Sequence, residues 1–86
     1  MSMKNKAALK KEIIYKSTHR GTKEMDILLG SFVEKNINNF TDLDLNDLKN
    51  LIQIEDDILN KWYFEKDSNV SVPVNNVSKM LKNFKL

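Results

Sequence analysis

The stretch best equipped to do chemistry is His19-Arg20-Gly21-Thr22-Lys23-Glu24, with Asp26 two residues further on. Arg20 is the only arginine of the chain, since the other thirteen basic side chains are lysines. Gly21, beside it, is one of only two glycines. Arginine offers what lysine does not: a rigid planar fork of donors that meets a carboxylate, a phosphate or a group of carbonyls. His19 is the one side chain whose ordinary pKa lies near neutrality. Two readings of this stretch stand side by side. In the first, Gly21 takes a left-handed conformation that ends one helix and turns into the next, and Arg20 and Glu24 form an exposed ion pair worth at most about 1 kcal/mol. That accounts for the glycine but not for the arginine, because lysine would serve equally in an exposed pair. In the second, Arg20 is a forked donor aimed at something else.

The remaining inventory excludes most catalytic chemistry. There is no cysteine, so thiolate nucleophiles, disulfides, iron–sulfur ligation and thiolate zinc sites are out. With a single histidine there is no His-based metal site, and no glycine-rich phosphate loop or Ser–His–Asp spacing occurs. The acidic triplet Glu55-Asp56-Asp57 lacks the alternating oxygen ligands and central glycine of a calcium loop, and reads as the start of a helix. No catalytic and no metal-binding residue is expected, and the chain is read as a non-enzyme.

The segments that must position this stretch are helical. Two glycines and one proline in 86 residues are too few for the turns of a sheet protein. Residues 5–18 are rich in helix formers, with Leu9, Ile13 and Ile14 near one face and lysines on the other. Over 22–39, Met25, Leu28, Leu29, Phe32, Val33 and Ile37 recur at helical spacing, with Thr22 as N-cap. Gly30 lies inside that helix, where it marks the close approach of another helix. A third helix over 45–53 places Leu45, Leu48, Leu51 and Ile52 together, most simply capped by Asp44. A fourth over 56–65 carries Ile58, Leu59, Trp62 and Tyr63. A fifth over 73–84, opened by Pro73, carries Val74, Val77, Met80, Leu81 and Phe84. The expected fold is all-α, a small five-helix bundle forming a single domain over 1–86.

Charge is uneven although the net is only +2. Residues 1–23 carry seven Lys/Arg against one acid, and residues 24–57 carry nine acids against two lysines. A basic first helix is compatible with nucleic acid, but the acidic middle and the lack of stacking aromatics speak against that partner. No apolar run approaches the roughly 20 residues that span a bilayer, and no apolar stretch of signal-peptide length follows the amino terminus. A cytoplasmic protein without a cleaved leader is expected.

Arg20-Gly21-Thr22-Lys23-Glu24 resembles the RGxxE signature of the FAD assembly factors, the bacterial SdhE group and its mitochondrial counterpart, succinate dehydrogenase assembly factor 2. Met25-Asp26-Ile27-Leu28-Leu29-Gly30-Ser31-Phe32 is similar to the family's continuation. So is the region from Phe40-Thr41 through Leu51-Ile52 to Glu55-Asp56-Asp57-Ile58-Leu59-Asn60-Lys61-Trp62. The resemblance covers about residues 5–65, and residues 67–86 depart from it. It implies a five-helix chaperone-like factor that binds the flavoprotein subunit of succinate dehydrogenase, and in some bacteria that of fumarate reductase, and promotes covalent attachment of FAD to it. FAD would belong to the partner, with no cofactor held stably by this chain, which would be a bacterial, monomeric protein when free. Arg20, Gly21 and Glu24 carry over as partner-binding residues, with Asp26 and His19 as neighbours. Gly21 would let the partner's backbone approach, Arg20 would offer a fork and Glu24 an acceptor. A local acid or base role for Glu24 is the second reading. The rival to the whole assignment is a basic-helix nucleic-acid binder or a homo-oligomeric interaction module.

Overall fold

The structure is a computed structural model and describes residues 3–86. Five α-helices follow one another: α1 (Met3–Ser17), α2 (Lys23–Asn36), α3 (Asp42–Ile52), α4 (Asp56–Tyr63) and α5 (Asn76–Asn83), with one 3-10 turn at Ile37–Asn39. No strand occurs among the described residues, so the architecture is the all-α bundle that the helical spacing of the apolar residues demands. Helix α1 packs on α2 and α3, α2 on α4, and α3 on α5. Helices of two to four turns do not persist alone in water, and the apolar stripes supply what propensity does not. Met25, Leu28, Leu29 and Phe32 of α2 and Leu45, Leu48 and Ile52 of α3 are essentially solvent-free. They close over Ile13 of α1, Leu59 of α4, and Val77 and Leu81 of α5.

Gly30 marks a close helix approach, as its place inside α2 suggests. A Cβ there would lie 3.3 Å from the Thr18 methyl and 4.0 Å from the Ser17 carbonyl oxygen, at the end of α1. Ser17 is fully buried at this crossing, and its hydroxyl donates to the Ile14 carbonyl at 2.8 Å. Ile14, expected on the apolar face with Ile13, is instead 45% exposed.

Two helix starts differ from the sequence expectation for a capping reason. Helix α3 begins at Asp42 rather than 45, because Thr41 and not Asp44 is its N-cap. The Thr41 hydroxyl accepts from the Asp44 N–H, and the Asp44 carboxylate accepts from the Thr41 N–H, a reciprocal capping box. Helix α5 begins at Asn76 rather than at Pro73. Asn75 and Ser78 form a second such box, and Pro73 stays in the extended segment before it. Val74, expected on the apolar face, is therefore outside the helix and 80% exposed, while Val72 fills a core position from the loop. Helix α4 begins at Asp56 as expected, but its N-cap Glu55 makes no side-chain capping bond. The acids of that triplet are used otherwise: Asp57 pairs with Lys61, and Asp56 reaches across to the α1–α2 corner.

Helix α2 gives way to the 3-10 turn after Asn36, three residues before the expected end at 39. Helix α4 ends at Tyr63, where Lys66 takes a left-handed conformation (φ 53°) and the Asp67 N–H returns to the Lys61 carbonyl at 2.9 Å. The C-terminal helix is tied down at its far end. Tyr63 donates its hydroxyl to the Phe84 carbonyl. Lys82 lies 4.6 Å from the centroid of the Trp62 ring and donates to the Trp62 carbonyl at 2.6 Å. The Phe84 ring meets Phe32 edge-on at 5.4 Å.

Candidate functional site

The corner between α1 and α2 is built from the inside. Helix α1 ends at Ser17, and α2 begins after Thr22, whose hydroxyl accepts from the Met25 N–H at 3.3 Å. Glu24 and Asp26 fall in the first turn of α2, where acids complement the helix dipole. Between the two helices runs a five-residue link, 18–22, whose backbone N–H groups need partners. Two consecutive ones find carboxylates. The Arg20 N–H donates to Asp26 Oδ1 at 3.3 Å, and the Gly21 N–H donates to Asp56 Oδ2 at 2.6 Å.

The Arg20 side chain points into the molecule, and only 10% of it is exposed. Its Nε donates to Asp56 Oδ1 at 2.8 Å, and its Nη2 lies 2.6 Å from the same oxygen. Nη2 also donates to the Ile54 carbonyl at 3.0 Å, and Nη1 donates to the carbonyls of Lys16 at 3.2 Å and Ile52 at 2.5 Å. Four hydrogen bonds and one ion-pair contact thus hold the three nitrogens of the guanidinium. Lys16 stands in the last turn of α1 and Ile52 ends α3, so both carbonyls belong to helix ends that lack intrahelical partners. The positive charge also sits where the negative ends of two helix dipoles converge. Arg20 thus joins α1, α3 and the start of α4 at one point.

This settles which of the two readings of the arginine describes the folded chain. Arg20 does not pair with Glu24; its carboxylate is Asp56, thirty-six positions away. Its fork is satisfied by the protein itself rather than held out to solvent. Gly21 is not a left-handed cap either, since no glycine has a positive φ. What marks Gly21 is proximity: a Cβ there would lie 3.1 Å from Asp56 Oδ2, closer than side chains ordinarily pack.

What the corner shows to solvent is Gly21, Lys23 and Glu24, with His19 on the α1 side. Among the described residues the Glu24 carboxylate has no hydrogen bond or ion pair. The His19 ring stacks on Tyr15 with centroids 3.9 Å apart, and its Nδ1 lies 2.7 Å from the Tyr15 carbonyl. Because a carbonyl only accepts, Nδ1 is the donor in that bond. Asp26 is half-buried and turned toward the Arg20 amide. Of the residues singled out in the sequence, Arg20, Gly21 and Asp26 share one network, while Glu24 and His19 flank it on the exposed side. Asp56 was missed. Its signal was available: three successive acids stand where a helix start needs one.

Among the described residues no group of His, Cys, Asp or Glu is placed to hold a metal ion. The fold and this corner define a small all-α domain whose distinctive feature is a rigid, charge-locked surface turn. The chain belongs to the family described as the flavinator of succinate dehydrogenase, whose model matches residues 11–85. That match takes in nearly all of the C-terminal segment 67–86, where a departure from the family was expected. The chain is 40% identical over 60 residues to the FAD assembly factor SdhE of Acetobacter pasteurianus, covering 70% of this chain and 55% of the relative. It is 40% identical over 58 residues to the mitochondrial succinate dehydrogenase assembly factor 2 of Dictyostelium discoideum, covering 67% of this chain and 41% of the relative. For the protein of the same name in Arabidopsis thaliana the values are 32% over 63 residues, 73% and 34%. The matched stretches thus span about half or less of the relatives' own length. No solved structure matches the chain.

Proposed function

We propose that this protein docks on the flavoprotein subunit of succinate dehydrogenase through its α1–α2 corner and promotes covalent attachment of FAD to that subunit. In some bacteria the fumarate reductase flavoprotein would be a second client. The observation that carries the reading is a division of labour at the corner. Arg20, Asp26 and Asp56 spend their polar groups inside the molecule and fix the turn, while the Glu24 carboxylate is exposed with its acceptor capacity unspent. Membership of the flavinator family and the names of the relatives point the same way.

The bond to be made joins the 8α carbon of the flavin to a histidine, and both groups belong to the partner. This chain contributes binding and alignment rather than a reacting atom. Holding the flavoprotein so that flavin and histidine stay in register removes the orientational cost of the step, a contribution of up to several kcal/mol in well-aligned systems, where roughly 7–11 is the upper range. Glu24 serves as an acceptor for a donor group of the partner, and Gly21 leaves the turn free of a side chain where the two surfaces meet. The factor acts in the cytoplasm as a monomer and holds no flavin of its own.

The test is co-expression of the flavoprotein with this chain carrying Glu24→Ala or Gly21→Arg, read as in-gel fluorescence of covalent flavin. Both variants are expected to lower the signal, and Glu24→Ala to do so with no more loss of Tm in the free domain than a first-turn acid contributes through the helix dipole. Undiminished flavin with both variants overturns the docking assignment.

A further inference from the structure

We propose that Asp56 is the positioning residue of the docking surface: its carboxylate, from the start of α4, sets the shape of the exposed turn Gly21–Glu24. The inference rests on the docking reading above and deepens it. Asp56 is the one side chain that grips the turn through both its side chain and its backbone. Oδ1 accepts from Nε of Arg20 and is ion-paired with its Nη2, and Oδ2 accepts from the Gly21 N–H at 2.6 Å. That second bond is short even for a charge-assisted one, and the Asp56 side chain is only 18% exposed, so water competes poorly for it.

Two consequences follow from this geometry. First, the direction of the Gly21 peptide, and so the path of the chain into α2, is set from α4 and not by a glycine-specific backbone conformation, because Gly21 has no positive φ. Second, a side chain at position 21 presses first on Asp56 Oδ2, 3.1 Å from where its Cβ would be. That carboxylate cannot give way freely, because its other oxygen is held by Arg20. A substituent at 21 is therefore felt at Arg20 and at the carbonyls of Ile52 and Ile54 behind it. Capping does not account for Asp56. The N-cap of α4 is Glu55, and the Asp56 carboxylate faces the neighbouring corner rather than its own helix.

The experiment uses the full chain, ¹⁵N-labelled, with Asp56→Asn, Asp56→Ala and, as a control remote from the corner, Leu81→Ala. Two quantities are read at a temperature where every variant is folded: the Gly21 amide proton shift and the Kd for the purified flavoprotein subunit. Loss of the charged acceptor is expected to move the Gly21 amide upfield and to weaken binding about tenfold in both Asp56 variants, the change that one charge-assisted bond carries. Leu81→Ala lowers Tm but leaves Kd and the Gly21 amide in place. A Gly21→Ala change is expected to lower Tm less, or to raise it, in the Asp56→Ala background than in the native one, because the oxygen it presses on has gone. Asp56 variants that bind no worse than Leu81→Ala, or a Gly21 amide that does not move, overturn the proposal. If the native chain itself fails to bind the flavoprotein, the docking reading falls. The amide shift and the Gly21–Asp56 coupling then decide by themselves whether Asp56 holds the turn.

Discussion

The three guanidinium nitrogens of Arg20 reach four acceptor atoms: Asp56 Oδ1 and the carbonyls of Lys16, Ile52 and Ile54. A lysine ammonium has three donors radiating from one atom and cannot span that set. With Arg20→Lys at least one buried helix-end carbonyl and part of the Asp56 carboxylate lose their partner, and each such loss costs about 1–3 kcal/mol. A domain of this size has a total stability of roughly 4–13 kcal/mol, so the loss is large without being fatal. The expected outcome is a Tm lower by roughly 8–16 °C for a loss of about 2 kcal/mol, read by circular dichroism. An unchanged Tm would show that the network is not formed. Glu24→Ala, by contrast, removes a carboxylate that no group among the described residues holds, and its cost to stability is confined to a helix-dipole contribution of about 0.3–1 kcal/mol.

At the scale of elements, caps decide where the helices begin and end, and they do so through side chains that the hydrophobic pattern does not see. Thr41 with Asp44 and Asn75 with Ser78 each satisfy two otherwise orphaned groups. The end of α4 is the one place where the sequence offers a poor residue for the conformation required. Lys66 sits at φ 53°, a region that a residue with a Cβ enters at a cost of roughly 1–2 kcal/mol. Lys66→Gly relieves that cost at the expense of greater freedom in the unfolded chain. A net gain of about 0.5–1 kcal/mol is expected, seen as a higher urea midpoint with unchanged slope. Gly30 behaves oppositely. A methyl there would crowd Thr18, the first residue of the link between α1 and α2.

Over the whole molecule, the corner is a product of helices brought together from distant parts of the chain. Residues 16, 20 and 21 meet 52, 54 and 56 only because α1 packs on α3, and α2 on α4. The C-terminal helix completes the core, with Val77 and Leu81 buried and Phe84 against Phe32. Leu81→Ala is expected to cost about 2–5 kcal/mol, the range for emptying a fully buried leucine site. Because Leu81 lies outside the corner network, the loss should appear in Tm and leave capture of the flavoprotein by the folded fraction intact. A parallel loss of affinity would show that α5 takes part in docking.

The order of five helices and most of their apolar faces are written in local sequence, as is the compositional oddity of the Arg20–Glu24 segment. Residue spacing and scarcity of glycine are short-range properties, and Met25, Leu28, Leu29, Phe32 and Val33 are all buried as their spacing requires. The chain's one arginine raised, by its type, the question of a multi-acceptor partner. Local sequence could not say which partner. Asp56 and the carbonyls of Ile52 and Ile54 lie more than thirty positions from Arg20, and no periodicity relates a residue to acceptors on another helix end. Only the packing of α1 on α3 and of α2 on α4 turned Arg20 inward, because it brought helix-end carbonyls that lack intrahelical partners together at a largely shielded point that a forked cation can span.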